Sequence, residues 1–269
     1  MFSFDRLHPT SYCVIVILIL TIQVAGGVRA RASEEAQLGE ETPVSLKWST
    51  GFDFSRGHYG LEEDTKIYYV PLGVAIDYDR FRATLSIPFL VSSGPTRIGS
   101  LETVSDSGER HGLGQLQVGG SYLFDPPLEG FPFVEISTKV TAPTETDSSL
   151  GTGLWAIALQ ADFFQRFGKV TPYLSAGRKF YIECGCDDRL KHRFYTSVGA
   201  SYSLTDKIDV GIAYDWLESA VKNVSDAHEI APYASMQINE IWSAGPYAVF
   251  GLSDGSPDFG VGFSLSVRP

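Results

Sequence analysis

The sequence contains little cysteine, no excess of basic residues and, after its first segment, no long apolar run. Only 3 of its 269 residues are cysteine, which excludes a fold held together by many disulfide bonds. The formal net charge is −11 and no stripe of lysine and arginine is present, which argues against binding to nucleic acid. No later apolar run approaches the roughly twenty residues of a transmembrane helix. The fold must therefore be sought in another pattern.

The first 32 residues have the layout of a secretory signal peptide. A short polar start containing Arg6 precedes an apolar run at residues 13–25, and the small residues Ala30 and Ala32 follow. This run is too short to cross a bilayer as a helix, which argues against the alternative of a membrane anchor. We therefore expect residues 1–32 to be a cleaved signal peptide and residues 33–269 to be the mature protein.

Alternation of apolar and polar residues with a period of two dominates the rest of the chain. In residues 81–91, for example, Phe81, Ala83 and Leu85 alternate with polar residues. Such a pattern is typical of β-strands. The runs are residues 44–54, 68–78, 81–91, 116–124, 134–140, 155–163, 170–180, 194–202, 208–216, 230–238, 242–252 and 259–267. They predict an all-β protein with about 12 antiparallel strands.

The links between these runs alternate in length. The short links include residues 79–80 and 205–207, and the longer links are residues 55–64, 92–113, 142–153, 181–192 and 217–228. Transmembrane β-barrels have short periplasmic turns at one end and longer external loops at the other. A soluble β-sandwich also has alternating faces, but it has no reason to gather its long loops at one end. The pattern favours a transmembrane antiparallel up-and-down β-barrel.

The apolar phase of the strands carries the aromatic residues that a membrane protein needs at its two interfaces. It contains all four tryptophans, Trp48, Trp155, Trp216 and Trp242. One predicted belt, beside the long links, contains Phe54, Tyr68, Phe89, Phe194 and Trp216. The other, beside the short turns, contains Tyr78, Phe81, Phe124, Phe163, Tyr202 and Trp242. The opposite phase is rich in glycine, serine and charge, as expected of a water-facing lumen.

Prolines are unfavourable inside paired strands because each removes a backbone donor. Six of them lie within or at the ends of the predicted strands, and we expect most to occupy bulges or strand ends. They are Pro71, Pro88, Pro132, Pro172, Pro232 and Pro246.

The candidate functional residues are the charged residues of the polar phase. They are Lys47, Asp53, Asp77, Arg82, Glu135, Lys139, Asp162, Arg193, Asp209, Asp215 and Glu229. As a channel wall, they would select the solute by charge. The alternative is a salt-bridged polar plug. Eight strands leave an interior filled by side chains and sixteen or more enclose water, so a barrel of 12 strands leaves both alternatives open and favours a narrow pore.

Other kinds of site receive less support from the sequence. Acidic residues of the long links could bind cations together with lipopolysaccharide phosphates, although a solvated surface is the simpler interpretation; they are Glu62, Glu63, Asp64, Glu102, Asp106, Glu109, Asp187, Asp188 and Glu218. The spacing of the loop histidines, Cys184 and Cys186 matches no metal-binding pattern. The absence of a G-x-S-x-G motif gives no support to an esterase-like enzyme. We expect no enzyme, metal or cofactor.

Five segments resemble a family of Gram-negative outer-membrane barrels known as transporters. They are residues 58–65, 70–73, 112–116, 226–229 and 251–260. The chain is similar to the channel-like proteins associated with the meta-cleavage pathway of phenol degradation. This resemblance implies the same barrel and a place in the outer membrane. One departure is the end of the chain, Val267-Arg268-Pro269, where such barrels usually carry an aromatic residue read by the assembly machinery.

Together these features predict a passive outer-membrane channel for small solutes, including hydrophobic or aromatic ones. Its expected partners are outer-membrane lipid, lipopolysaccharide, the barrel-assembly machinery and the solute. Two alternatives are a barrel enzyme that modifies lipids and a non-conducting structural barrel at the cell surface.

Overall fold

The computed structural model describes most of the chain after residue 43. The described residues are 44–59, 64–94, 96–98, 102–104, 108–128, 130–147, 149–182, 190–221 and 224–269. The predicted signal peptide, residues 1–32, lies outside them, as do Cys184 and Cys186. Within the described part of the chain, no helix is long and apolar enough to cross a membrane.

The described residues form strands joined by turns and loops. The strands are β1 (Ser45–Gly57), β2 (Thr65–Tyr78), β3 (Phe81–Ser93), β4 (Thr96–Ile98), β5 (Glu102–Val104), β6 (Glu109–Leu113), β7 (Leu116–Phe124), β8 (Phe133–Ala142), β9 (Trp155–Phe164), β10 (Val170–Ile182), β11 (Arg193–Thr205), β12 (Ile208–Leu217), β13 (Ala227–Gln237), β14 (Trp242–Gly251) and β15 (Phe259–Val267).

These strands close into an antiparallel barrel with 12 positions around its wall. Each long strand pairs with its neighbours in sequence, and β1 pairs with both β2 and β15, which closes the sheet. Strands β6 and β7 both pair with β3 and share one position of the wall. Strands β4 and β5 form a separate hairpin in the loop between β3 and β6. The predicted 12-stranded up-and-down barrel is therefore confirmed, and β4, β5 and β6 are additions that the alternation did not reveal.

The outer wall of the barrel is apolar and the inner wall is polar. Leu159, Val198 and Ile212 point outward and are 51%, 51% and 54% exposed, whereas the inward-pointing Arg193 and Glu229 are each 1% exposed. A protein folded in water buries its large apolar side chains and leaves its charges outside. The reversed arrangement is stable only where hydrocarbon surrounds the barrel, as in transmembrane β-barrels.

Aromatic side chains ring the outer wall at both ends, as predicted. At the turn end, Tyr78 and Phe81 are exposed on the outside, and at the loop end Tyr68 and Phe194 are exposed. Neighbouring rings also pack on each other, with Phe81 and Tyr122 4.6 Å apart between centroids. Amphipathic rings at both interfaces fix the height of a barrel in a bilayer.

The prediction that most prolines occupy bulges or strand ends is wrong. Pro71 and Pro88 lie in the middle of β2 and β3 and pair directly with each other. Pairing of β1 with β2 is recorded at Thr50↔Leu72 and next at Asp53↔Tyr69, so it lapses around Pro71 and resumes in the same register. Each proline removes one backbone donor, and the antiparallel ladder continues beyond it because the flanking pairs keep their alignment.

The outward phase generates a prediction about stability. Replacing Val198, an outward residue near the middle of β11, by arginine should destabilise the barrel by about 2–4 kcal/mol, because a charge would face the bilayer midplane. Leu204→Arg is the matched control, since this outward residue lies next to the end of β11, where the cost falls to about 0–1 kcal/mol. Denaturant unfolding from lipid vesicles measures both changes, and equal losses in the two variants would contradict the assigned bilayer position.

Candidate functional site

All eleven residues predicted to line a lumen lie on the inner phase of their strands, and they divide into two groups by burial. Lys47, Asp77, Arg82, Lys139 and Asp209 are half-buried. Asp53, Glu135, Asp162, Arg193, Asp215 and Glu229 are buried, each 7% exposed or less. The interior thus contains open and filled regions side by side.

An open cavity of about 370 Å³ lies along the wall formed by β1, β2, β3, β13, β14 and β15, and Gln117 of β7 and Lys139 of β8 also reach it. Four of the predicted residues line it: Lys47, Asp53, Arg82 and Lys139. The Arg82 guanidinium is paired with Asp77, its Nη2 donating to Oδ2 at 3.1 Å. The Tyr247 hydroxyl donates to the Asp53 carboxylate. The cavity is large enough for several waters or a small solute.

An apolar cluster fills another part of the interior. Leu123 on β7, Phe164 on β9, Tyr173 on β10 and Val249 on β14 are all 5% exposed or less and pack in one cluster. Sequence reasoning missed these residues because they occupy the polar phase of their strands. In the sequence they appear only as a second apolar residue next to an outward one, as Phe164 does beside Phe163. Alternation alone cannot assign such a second residue to the interior.

Two long loops fold into the loop end of the barrel. In the loop between β8 and β9, Leu150 is 1% exposed and packs against Tyr69 and Leu90 of the inner wall. In the loop between β12 and β13, Ala220 packs against Ala156 and Tyr181. These contacts narrow the loop end, which sequence analysis had treated as a set of external loops.

Polar contacts hold the β8–β9 loop in place. Gln115 Nε2 donates to Thr152 Oγ1 at 3.2 Å, and the Gly153 N–H donates to Glu145 Oε1 at 2.6 Å. Asp147 accepts hydrogen bonds from the hydroxyl and the N–H of Ser149, and these bonds lower the pKa of the Asp147 carboxyl. The loop is therefore anchored at several points along its length.

Like charges face each other across neighbouring inner strands at three places. The pairs are Glu135 with Asp162, Lys179 with Arg193, and Asp215 with Glu229. Directly opposed like charges destabilise a sheet, so the two members of each of these pairs cannot neutralise each other. Asp77 and Arg82 differ, because they are directly paired and form an ion pair.

Lys179 is a buried cation of the inner wall that lies outside the set predicted from the sequence. It is 1% exposed, and its Nζ lies 5.2 Å from the Tyr181 ring centroid without a hydrogen-bond partner among the described residues. A buried ammonium is costly unless water or another group solvates it. Sequence analysis left this residue out because Arg178 and Lys179 place charge on both phases of β10.

Four inward tyrosines lie flat against glycines on the neighbouring strand. The directly paired residues are Tyr173 with Gly199, Tyr195 with Gly177, Tyr233 with Gly211, and Tyr247 with Gly262. A Cβ atom on Gly177 would lie 2.3 Å from the Tyr195 ring, so only glycine permits this approach. The flat rings cover the backbone of the glycines and line the interior with aromatic faces and hydroxyl groups.

The acidic residues of the long links do not form one surface in the described structure. Asp64 accepts a hydrogen bond from Arg56 Nε at 2.7 Å, and this bond lowers the pKa of the Asp64 carboxyl. Glu218 lies 3.7 Å from Lys191. Glu62, Glu63, Asp106, Asp187 and Asp188 lie outside the described residues, and the side chain of Glu102 is likewise not described.

One loop histidine lies beside carboxylates. Potential ligand atoms of His58, Asp64 and Asp258 lie within 4.8 Å of one another. Because Arg56 already neutralises Asp64, the group has little excess negative charge with which to hold a cation. The other loop histidines lie on separate elements: His111 is in β6, His228 is in β13 and His192 precedes β11. The expectation of no metal site stays a prediction.

Comparison with known proteins gives a likeness in structure only. No protein-family model and no curated protein matches the chain. The fold is similar to that of an outer-membrane channel from Pseudomonas putida F1, with 15% sequence identity over 87% of this chain and 98% of that chain and a TM-score of 0.65.

Two further barrels resemble it less closely. The translocator domain of the autotransporter NalP from Neisseria meningitidis has 11% identity over 93% of this chain and 96% of that chain, with a TM-score of 0.52. The NanC porin has 11% identity over 82% of this chain and 98% of that chain, with a TM-score of 0.50. At such low identity the likeness shows the fold alone, and that fold is the one found in outer-membrane barrels.

The tyrosine–glycine pairs generate a second prediction. Gly177→Ala should destabilise the barrel by about 1–3 kcal/mol, because the added Cβ forces the Tyr195 ring off the wall. In a Tyr195→Ala background the same substitution should cost almost nothing. Unfolding free energies of the four proteins in this cycle measure the coupling, and an equal cost in both backgrounds would show that the ring and the glycine act independently.

Proposed function

We propose that the protein is a passive channel for small solutes in the outer membrane of a Gram-negative bacterium. The observation that carries the proposal is the inverted barrel wall, apolar outside and charged inside, around a cavity of about 370 Å³. The similar structures include an outer-membrane channel and a porin, and neither name implies catalysis.

The inner tyrosines support small aromatic solutes as the cargo. Tyr69, Tyr233 and Tyr247 line the cavity together with Lys139 and Arg82. Aromatic faces bind planar rings by stacking, and the hydroxyl and charged groups beside them would keep the path polar. The family resemblance noted in the sequence, to channel-like proteins of phenol degradation, leads to the same solute class.

The same proposal covers how the protein reaches its membrane. Residues 1–32 would direct export and be removed, and the barrel-assembly machinery would insert the mature chain with its short turns in the periplasm. Lipopolysaccharide would surround the loop end.

The alternative of a lipid-modifying enzyme has one feature in its favour. On the outer wall, the Tyr214 hydroxyl lies 2.6 Å from His228 Nδ1. Covalent lipid hydrolysis needs a nucleophile activated by such a base. No serine or cysteine of the described residues is hydrogen-bonded to this imidazole ring, so the channel is the better-supported function.

The in-folded loop gives the third prediction, which also tests conduction itself. The purified protein in a planar bilayer should show discrete single-channel steps. Leu150→Ser should raise the conductance or the open fraction, because it removes the apolar contact with Tyr69 and Leu90 that holds the loop inside. Leu252→Ser, at an exposed residue of the same end, is the control and should leave the steps unchanged. The channel proposal is refuted if neither the wild type nor Leu150→Ser gives current steps although its heat-modifiable electrophoretic mobility shows that it is folded.

The charged wall of the cavity gives the fourth prediction. Lys139→Gln and Arg82→Gln should each lower the permeability of anions relative to cations, because each removes a positive charge beside the conducting path. Reversal potentials in a salt gradient measure this ratio. Lys169→Gln, in an exposed turn, serves as the control. Unchanged reversal potentials in both cavity variants would place the path elsewhere.

A further inference from the structure

Arg178 is a cation on the lipid-facing side of the barrel. In β10 the buried, inward residues are the odd-numbered ones, including Ser175, Lys179 and Tyr181, so Arg178 belongs to the outward phase. Its directly paired residues, Leu159 on β9 and Phe194 on β11, are outward and exposed. A charge therefore lies on a wall that is otherwise apolar.

The immediate surroundings of Arg178 are aromatic. Its guanidinium carbon lies 4.5 Å from the ring centroid of Phe194 and 5.1 Å from that of Phe180. Cation–π contacts orient the planar guanidinium but do not neutralise its charge. The Nε atom is buried without a hydrogen-bond partner, and no carboxylate of the described residues forms an ion pair with Arg178. The guanidinium therefore has hydrogen-bonding capacity that the described residues leave unused.

The height of Arg178 brings it within reach of the outer interface. It lies four residues before the end of β10 at Ile182. With a rise of about 3.3 Å per residue and a strand tilt of about 40°, this is about 10 Å below the loop end of the strand. A long arginine side chain at that depth can extend its head toward the headgroups while its stem stays among the acyl chains.

A comparison with the other outward cations shows why Arg178 is distinct. Among the strands that the structure describes, Arg56, Lys66 and Arg178 are the basic residues of the outward phase, and all three are in the loop-end half. Arg56 is neutralised by Asp64, and Lys66 lies close enough to Asp64 to interact with it. Of these three outward cations, Arg178 is the one that has no carboxylate beside it among the described residues.

We propose that Arg178, held between Phe180 and Phe194, binds a phosphate group of a lipid in the outer leaflet. A phosphate accepts two parallel hydrogen bonds from a guanidinium, which matches the donors that Arg178 leaves unused. The two rings would lie beside the same lipid molecule, against the start of its acyl chains. The site is separate from the conducting path, because Arg178 and the lumen lie on opposite faces of the wall.

The test compares two forms of one lipid on the purified protein. Detergent-solubilised protein is titrated with lipid A that carries its phosphates and with dephosphorylated lipid A, and native mass spectrometry counts the bound lipid. The wild type should bind the phosphorylated form at least about tenfold more tightly, as expected for hydrogen bonds to charged groups. Arg178→Gln should abolish that preference, and Arg178→Lys should retain part of it.

The controls separate this site from other effects. Arg56→Gln is the matched variant, an outward cation at the same end whose charge is already paired, and it should leave lipid binding unchanged. Arg178→Gln should conduct like the wild type, so failure of the channel proposal and failure of the lipid site can be told apart. If Arg178→Gln does not fold, the proposal is still tested by two results: the wild type must prefer the phosphorylated lipid, and Arg178→Lys must reduce that preference. Equal binding of the two lipid forms to the wild type, or an unchanged preference in Arg178→Gln, would overturn the proposal.

Discussion

Backbone hydrogen bonding in a solvent that offers no partner is the constraint on which the rest of this structure depends. Hydrocarbon cannot satisfy an N–H or a C=O group, so a sheet inside a bilayer must have no free edge. The pairing of β1 with β15 removes that edge and fixes the number of wall positions. It also explains the tolerated prolines. Pro71 and Pro88 are directly paired, and the pairing of β1 with β2 lapses around Pro71 but resumes in the same register, so the missing donor interrupts the ladder only locally.

Closure in turn determines what the interior must accommodate. A barrel of 12 strands is too wide for its inner side chains to fill completely and too narrow for an open aqueous pore like that of the large porins. The chain fills part of the space with the cluster around Phe164 and Tyr173, and it fills the loop end with Leu150 and Ala220. The remaining cavity adjoins that cluster, because Tyr233 and Tyr247 pack against it and also line the cavity. The position of the open space is therefore set by where these apolar residues end.

Sequence alternation was sufficient to predict the barrel because every strand must present one phase to lipid. The two aromatic belts and the eleven inward charged residues follow from the same periodicity. It could not predict features that depend on what lies across the lumen. Leu123 and Phe164 are apolar residues on the polar phase, and only the closed barrel shows that they meet. Lys179 was obscured by Arg178, its neighbour on the other phase, because alternation cannot assign two adjacent charges to faces. The in-folding of the β8–β9 loop depends on Leu150 finding Tyr69 and Leu90, which are far away in sequence.

The inner wall also shows how a narrow barrel can be lined with large aromatic residues and still contain open space. An inward tyrosine that stood upright would cross much of the lumen, whereas a ring lying over a paired glycine adds only its own thickness to the wall. The pairing of Tyr233 with Gly211 and of Tyr247 with Gly262 places two such rings beside the cavity. Covering glycine with an aromatic ring also shields exposed backbone and stabilises the sheet where it lacks side chains. The same arrangement therefore stabilises the wall, preserves the cavity and presents ring faces to its interior, so the width of the lumen depends on these rings staying over their glycines.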